Sequence, residues 1–496
     1  MMPEISRQLV EIWPDTAAPH AQVVVRGLSA DSRRVKPGDV FIAQKGLHQD
    51  ARDFIVEVIG QGAVAVFAEQ GQKWTEDRVI NGVPVLVVEN LPARLGEIAA
   101  RFYGDPSRDM TVLAVTGTNG KTSVAHLLAG SLTGLGKKAA VLGTVGNGLY
   151  GQLHKSSHTT LDAIQLQKCF AEFRAQGVQY VAMEASSHGL AQGRLHGTHI
   201  HTALFTNLSR DHLDYHGTMT AYAAAKAKLF TWPGLRAAVL NADEAQFALQ
   251  KILLGKDITC LSYSQRGVAQ ADIQAERIIP SLHGLHMDVR TPVGSSRLQS
   301  PLLGRFNVSN LLAVLGGLLS VGIALPQALK ALAQVPAVPG RMECFGGQGL
   351  PTVVVDYAHT PDALEKALIS LREHTEGKLC CVFGCGGDRD KGKRPQMAVV
   401  AEHLADRVIV TSDNPRNEKA EAIIADIEAG FHARDKIFIE ADRRSAIRLA
   451  VQAAGTSDIV LVAGKGHEDY QEIMGVRQPF SDVTEVKAAL AARGQA

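Results

Sequence analysis

Val115-Thr-Gly-Thr-Asn-Gly-Lys-Thr-Ser123 decides how this chain is read. An apolar run, Thr111-Val-Leu-Ala-Val115, leads into it, and an amphipathic segment, Ser123-Val-Ala-His-Leu-Leu-Ala-Gly-Ser-Leu132, leads out. Strand, glycine loop and helix form the setting in which backbone N–H groups and a helix N-terminus converge on phosphate oxygens. Gly117 and Gly120 let the backbone come close, Lys121 adds positive charge at the terminal phosphates, and the Thr122 hydroxyl can ligate Mg²⁺. Val115 stands where the general pattern G-x-x-x-x-G-K-[ST] has its first glycine, so the loop is a variant. An ordinary glycine-rich turn is the plain alternative; the flanking strand and helix favour nucleotide binding.

Outward from this loop the chain alternates between strand and helix. Strands are expected at 112–115, 139–142, 180–184, 202–206 and 237–241, with helices between most of them, which predicts a mostly parallel sheet wound with helices. Upstream, residues 1 to about 107 carry apolar runs at 39–43, 63–67 and 83–88, a helical stretch at 93–102, and a linker at 104–109. Downstream, small antiparallel strands are expected at about 268–300, a helix at 307–316 and a second linker at 335–340. The last third repeats the α/β alternation, with strands at 352–356, 379–383, 407–411, 437–440 and 459–462. Polar clusters follow the carboxyl ends of these strands, at 117–122, 184–188, 207–212, 413–418 and 464–468. Ligands of open α/β sheets bind at that edge. Two domains therefore each present an active edge, and the chemistry is expected between them.

The bulk numbers narrow the class. A chain of 496 residues is too long for one core, so two to four domains are expected. Lys and Arg total 51 against 50 Asp and Glu, a net charge of +1 that gives no field for nucleic acid or a membrane surface. No apolar run approaches the ~20 residues of a spanning helix, and the first residues lack the layout of a signal peptide, so a cytoplasmic location is expected. The six cysteines form no C-x-x-C pair; Cys380, Cys381 and Cys385 read as reduced thiols in a core strand.

Four further constellations carry chemistry. Thr206-Asn-Leu-Ser-Arg-Asp-His-Leu-Asp-Tyr-His216 packs histidines and carboxylates after a buried strand, which suits metal coordination, and Glu184 at a neighbouring strand end is a natural second Mg²⁺ ligand. Lys226, on a short alanine-rich helix, reads from its residues alone as a surface lysine. Asp413-Asn-Pro-Arg-Asn-Glu418 offers both signs of charge in one turn: a guanidinium fork for a carboxylate and carboxylates for an ammonium, which suits a zwitterionic amino acid. Gly464-Lys-Gly-His-Glu468 adds another acid on a glycine loop.

Taken in order, Gly117–Thr122, Thr159-Thr160, Met183–Gly189, Asn207–His216, Ala224-Ala-Lys226, Pro339-Gly-Arg341, Asp356-Tyr-Ala-His359, Gly386-Gly-Asp-Arg389 and Asp413–Arg416 resemble the motifs of the Mur ligases over nearly the whole chain. The match is to the branch that adds the third amino acid of a cell-wall precursor. The resemblance implies three domains: a UDP-substrate-binding α/β domain at 1–107, a central P-loop ATPase-type parallel sheet with helices at 108–337, and a C-terminal Rossmann-like domain at 338–496. It implies ATP-dependent, Mg²⁺-assisted addition of meso-diaminopimelate to UDP-N-acetylmuramoyl-L-alanyl-D-glutamate through an acyl phosphate, by a monomer.

By the same resemblance ATP meets Gly117, Thr118, Asn119, Gly120, Lys121, Thr122, Ser123, Asn307, Asn310, Arg341 and Asp356. Mg²⁺ falls to Thr122, Glu184, His212 and Lys226, the last as a carbamate, and Lys121, Lys226 and His212 are the catalytic set. The UDP substrate is expected at Ala30, Ser32, His48, Gln49, Thr159, Thr160, Ser186, Gln192 and Arg194. Diaminopimelate is expected at Arg389, Asp413, Asn414, Pro415, Arg416, Gly464 and Glu468. Lysine-adding relatives carry a different tetrapeptide at 413–416, and diaminopimelate differs from lysine by a distal carboxylate that an arginine can select. Two positions depart from the family pattern: His158 stands where Asn is common, and Leu161-Asp162 replaces the frequent Pro-Asp, so the turn after Thr160 is expected to differ. Folylpolyglutamate synthetase shares the ATPase core but has no use for a UDP-binding first domain. A nucleotide-gated regulatory module would leave 413–416 without a role.

Overall fold

The computed structural model describes residues 5–46, 49–71, 73–156 and 158–494, with the backbone alone at Leu249. The chain divides into two compact units, residues 1–262 with 316–323, and residues 263–315 with 324–496.

The first unit holds two sheets. The N-terminal sheet runs Gly27–Ser29, Asp39–Ala43, Ala65–Glu69, Val83–Val88, Arg78–Ile80; its first four strands are parallel and the last is antiparallel. The helix Leu91–Tyr103 buries Leu91, Leu95, Ile98, Ala99 and Phe102, one stripe at helical spacing. It stops at Gly104, whose φ of 73° is the left-handed cap that glycine adopts without strain. Its stripe shares a core with Ala163, Ile164 and Ala171 of the helix Ala163–Ala175. Arg174 donates to Gly104 O and Tyr103 O, both at 2.8 Å. The expected linker at 104–109 is thus an ordered 3₁₀ turn, Pro106–Asp109, with Pro106 and Ser107 buried, riveted by a guanidinium to the next helical layer.

The second sheet of this unit runs from a small antiparallel hairpin, Gln152–His154 and Asn147–Leu149, to Ala139–Leu142, Tyr180–Glu184, Thr111–Thr116, Thr202–Phe205 and Ala237–Asn241. The last five are parallel and apolar on both faces, as strands covered by helices require. The chain leaves Thr111–Thr116 on one side and returns on the other, so strand order reverses there and the carboxyl ends open a crevice.

The second unit contains the antiparallel strands Ile273–Ser281, Gly284–Thr291 and Gly294–Ser300, as the sequence predicts. It also contains a six-stranded sheet in the order Glu343–Gly347, Leu350–Asp356, Ile459–Ala463, Leu379–Phe383, Arg407–Val410, Ile437–Ile439. All but the first are parallel. The loops after Phe383, Val410 and Ala463 leave one edge together. Cys380, Cys381 and Cys385 are buried in this core as free thiols, and desolvation pushes Cys380 and Cys385 up to about 12. The expected helix at 307–316 is longer, Phe306–Ser320. No helix among the described residues is long and apolar enough to cross a membrane.

Candidate active site

The phosphate loop follows Thr111–Thr116 and opens the helix Lys121–Gly134. Gly117 sits at φ 144° and Gly120 at φ 86°. A Cβ on Gly117 would lie 1.9 Å from Thr206 Oγ1, so only glycine lets the loop close on its neighbour. No side chain caps the first helical turn, which leaves its N–H groups and the positive end of the helix dipole for an anion. The loop amides ahead of it are engaged differently from the sequence reading: Thr118 N donates to Asn207 O at 2.8 Å and Asn119 N to Asn207 Oδ1 at 2.9 Å. Lys121 Nζ folds back onto Gly117 O (3.0 Å) and Thr118 O (2.9 Å).

Thr122 Oγ1 donates to Glu184 Oε2 at 3.0 Å, and Glu184 Oε1 accepts from Thr144 N at 2.7 Å. Glu184 is buried, and Gly143 makes room for it, since a Cβ there would meet Oε1 at 2.3 Å. A hydroxyl beside a carboxylate is a hard oxygen pair of the kind Mg²⁺ takes. Among the described residues no three His, Cys, Asp or Glu side chains form a metal cage.

Lys226 overturns the plain reading of a surface lysine. It lies on the helix Met219–Ala227 with 1% of its surface exposed. Its Nζ donates to Gly117 O at 2.6 Å and stands 4.4 Å from the centre of the Tyr222 ring. Burial, reinforced by Lys121 and opposed by Asp211, pulls its pKa down to about 6, so the amine is mostly neutral at pH 7. Tyr222 Oη is 3.2 Å from Thr118 Oγ1, which ties this helix to the phosphate loop. His212, at φ 52°, pairs with Asp211 at 3.5 Å and meets the His188 ring edge-on at 4.8 Å. Desolvation holds His188 and His216 below the ordinary imidazole value.

The residues expected to meet the dipeptide form one network. Thr144 Oγ1 donates to Thr159 Oγ1 (3.0 Å), Thr160 Oγ1 donates to Glu184 O (2.9 Å), and Ser186 N donates to Thr160 Oγ1 (3.0 Å). Arg194 bridges Gln192 Oε1 and Thr160 O, both at 2.8 Å. The turn after Thr160 ends in Asp162, which caps Ala163–Ala175 through Gln165 N at 2.9 Å. Ser32 opens the 3₁₀ turn Ser32–Arg34 and is half-buried, while Ala30 and Gln49 are exposed; His48 falls outside the described residues. A cavity of about 660 Å³ lies along this side, lined by Arg34, Lys155, Ser156, Leu161 and Asp162 among others.

In the second unit Asn307 and Asn310 are buried and pair side chain to side chain at 2.8 Å. Arg341 stacks its guanidinium 4.8 Å from the Tyr357 ring. Asp356 accepts from Met342 N (2.8 Å) and Ala358 N (2.9 Å), and desolvation raises its pKa against the pull of Arg341.

The turn Asp413–Glu418 is not the exposed loop its composition allows. Asp413 and Asn414 are buried, and a Cβ on Gly464 (φ 120°) would come within 2.5 Å of Asp413 Oδ2. Asn414 Nδ2 donates to Glu468 Oε2 at 2.8 Å, which joins the two predicted loops directly. Arg416 adopts φ 51°, and its NH1 donates to Gly387 O at 2.8 Å. Its backbone pairs with the hairpin Tyr470–Ile473/Val476–Pro479: Arg416 N donates to Glu472 O at 2.9 Å and Met474 N to Arg416 O at 2.6 Å. Arg389 is exposed on the neighbouring loop.

Three family models match the chain in order: the Mur ligase family catalytic domain over residues 24–103, the Mur ligase middle domain over 115–318, and the Mur ligase glutamate ligase domain over 340–466. A UDP-N-acetylmuramoyl-L-alanyl-D-glutamate–2,6-diaminopimelate ligase from Coxiella burnetii is 51% identical over 476 residues, 95% of this chain and 96% of that protein. The chain belongs to the Mur ligase family. A solved structure of a ligase with the same description has a TM-score of 0.78 at 40% identity, covering 99% of this chain and all of that one. MurF from Thermotoga maritima, solved with ADP, shares the fold at 19% identity and a TM-score of 0.60, with 95% and 99% coverage. The three-domain Mur ligase fold, with its central nucleotide-binding parallel sheet, is thereby the fold of this chain.

Within that ligase fold several supporting residues escaped the sequence reading. Asn207, inside a quoted motif but without a role, pins two loop amides, and Asn241 Nδ2 holds Thr206 O at 2.6 Å from the next strand. Thr144 secures Glu184 from a strand end that carries no motif. Lys465 and Gln471 secure Asn414 and Asp413, at 3.0 Å and 2.7 Å. Arg443, fully buried, pairs with Asp482 at 2.7 Å and donates to Ser412 O at 3.3 Å. The available signal was a charged residue inside an apolar helix stripe, as at Arg443.

Proposed function

We propose that this chain is an ATP-dependent amide ligase that adds meso-diaminopimelate to the D-glutamate of UDP-N-acetylmuramoyl-L-alanyl-D-glutamate in peptidoglycan precursor synthesis. Its parts are assigned as residues 1–107 for the UDP end, 108–337 for ATP and 338–496 for the amino acid, in a cytoplasmic monomer. The observation that carries the reading is the turn Asp413–Arg416, which sets a guanidinium and one buried acid, Asp413, at the carboxyl edge of a parallel sheet.

A carboxylate is a poor acyl donor because oxide is a poor leaving group. The D-glutamate carboxylate oxygen attacks the γ-phosphorus of ATP, ADP departs, and an acyl phosphate forms. The diaminopimelate amine then adds to the acyl carbon, phosphate leaves with the former carboxylate oxygen, and the amine loses its proton. Such transfers depend on positioning and charge neutralisation. Lys121 and the uncapped N–H groups of the first turn, with Gly117–Ser123 around them, hold the ATP phosphates. Asn307, Asn310, Arg341 and Asp356 serve the rest of the nucleotide. Thr122 and Glu184 hold Mg²⁺, which neutralises phosphate charge when bound; His212 and Lys226 serve a second position.

Lys226 suits carbamylation because a neutral amine is the form that attacks CO₂: an Nζ–C bond forms, one proton is released, and a buried base becomes an anion. Ala30, Ser32, His48 and Gln49 take the uridine end, and Thr159, Thr160, Ser186, Gln192 and Arg194 the muramoyl dipeptide. Arg389, Asn414, Pro415, Arg416, Gly464 and Glu468, with Asp413, take diaminopimelate, the guanidinium selecting the distal carboxylate that lysine lacks.

The test uses substrate labelled with ¹⁸O in the D-glutamate side-chain carboxylate. The mechanism requires one labelled oxygen in the released phosphate. Unlabelled phosphate would mean that ATP is hydrolysed by water and would remove the acyl-phosphate route.

A further inference from the structure

Lys465 is a buried cation that the reaction above does not use. None of its side-chain surface is exposed, and it lies between Gly464 and Gly466, on the loop that also carries Glu468. Its Nζ donates to Asn414 Oδ1 at 3.0 Å and to Glu468 Oε2 at 3.2 Å, and the Tyr470 ring lies 5.5 Å away. Asn414 Nδ2 donates to the same Glu468 oxygen at 2.8 Å, so the three side chains close a triangle. A buried ammonium is tolerated only where acceptors and opposite charge surround it. Here both are supplied by residues assigned to the amino-acid site.

The triangle fixes polarity as well as position. Asn414 Oδ1 also accepts from Glu472 N at 3.0 Å. Turning the amide over would set its NH₂ against an ammonium and a backbone N–H, two donor–donor contacts. Nδ2 is therefore committed to Glu468, and the glutamate is committed through one oxygen, Oε2, leaving Oε1 for an incoming ammonium. The loop is fixed at its other end too, since Gln471 Nε2 donates to Asp413 O (2.7 Å) and Ser412 Oγ (3.3 Å).

We propose that Lys465 is a positioning residue for the amino-acid substrate: it does not touch the ligand but sets the rotamer of Asn414 and half-neutralises Glu468, so that the pocket receives a zwitterion's ammonium without collapsing onto it. Gln471 does the same for the backbone of Asp413. This rests on the ligase reading given above.

Steady-state kinetics on the full-length enzyme, varying each of the three substrates in turn, tests it. Lys465→Met is expected to raise KM for meso-diaminopimelate at least tenfold while KM for ATP and for the UDP-dipeptide stays within twofold. Lys465→Gln, which keeps a donor for Asn414 Oδ1 without the charge, is expected to fall between Met and wild type. Gln471→Ala, at a half-buried hairpin position, is expected to raise the same KM by a few-fold; it is read in the same way if neither Lys465 variant folds. An unchanged diaminopimelate KM overturns the proposal. So does an equal rise in all three KM values with a lowered unfolding temperature, which would make Lys465 structural only. If wild type itself forms no amide with diaminopimelate, the ligase reading falls and takes this proposal with it.

Discussion

The glycine loop at 117–122 and the paired loops at 413–418 and 464–468 of this ligase are built on different plans. Residues 117–122 take their turn from two glycines and the helix that follows, in one stretch of chain, and distant residues (Asn207, Tyr222, Lys226) only brace it from outside. The surroundings of Asn414 are assembled from segments far apart in sequence: Gly387 under Arg416, Lys465 and Glu468 on Asn414, Glu472 and Gln471 along the turn, and Arg443 with Asp482 behind Ser412. A phosphate is alike in every nucleotide and needs only N–H groups and a cation, which a short backbone motif supplies. An amino acid must be told from its near relatives, and the charged groups that discriminate stay in place only if buried partners hold them.

The largest effect is expected on the phosphate side. Lys226→Ala should lower turnover by about 1,000-fold or more, the scale of losing a principal electrostatic group, while circular dichroism shows a folded protein. Wild-type-like rates would remove Lys226 from the site. On the other side, Arg443→Leu leaves Asp482 buried without its partner, which costs about 3–5 kcal/mol in comparable ion pairs. Urea unfolding should show that loss; an unchanged midpoint would mean that the strut behind Ser412 carries no weight.

Arg416→Ala separates the two plans most cleanly. KM for diaminopimelate should rise by about 100-fold, in line with losing a buried charge pair with a ligand, and KM for ATP should not move. Equal losses in both would show that the arginine supports the fold rather than the substrate. A smaller effect comes from pH. Lys226 titrates near 6 when folded against 10.5 in its ordinary state, so between those values the unfolded chain holds a proton that the folded chain lacks. Stability therefore rises with pH across that window. In CO₂-free buffer, the advantage of Lys226→Met over wild type should be largest below pH 6 and fade as pH approaches 10.5. Parallel stability curves would show that the lysine is not desolvated.

What could be read from sequence follows the same division. The strands 139–142, 180–184, 237–241 and 379–383 are found where their apolar runs place them, because a strand covered on both faces is a continuous apolar word. Gly117, Lys121 and Thr122 declare themselves through spacing. Lys226 did not: an alanine-rich helix gives no sign of which face is buried, and only the packing against Tyr222 and Gly117 reveals it. The linker at 104–109 looked loose because Gly, Asp and Pro mark turns, while the guanidinium that fastens it comes from Arg174, far along the chain. Lys465 stood in the quoted stretch Gly464–Glu468 without a role, and Gln471 in none, because their partners Asn414 and Asp413 lie about fifty to sixty positions away.

The central claim is most directly tested by offering the purified protein ATP, Mg²⁺ and UDP-N-acetylmuramoyl-L-alanyl-D-glutamate with either meso-diaminopimelate or L-lysine, and following phosphate release together with the mass of the UDP-linked product. One phosphate per amide, with diaminopimelate strongly preferred, is the predicted result. Faster turnover with lysine, or phosphate released with no new amide, would contradict it.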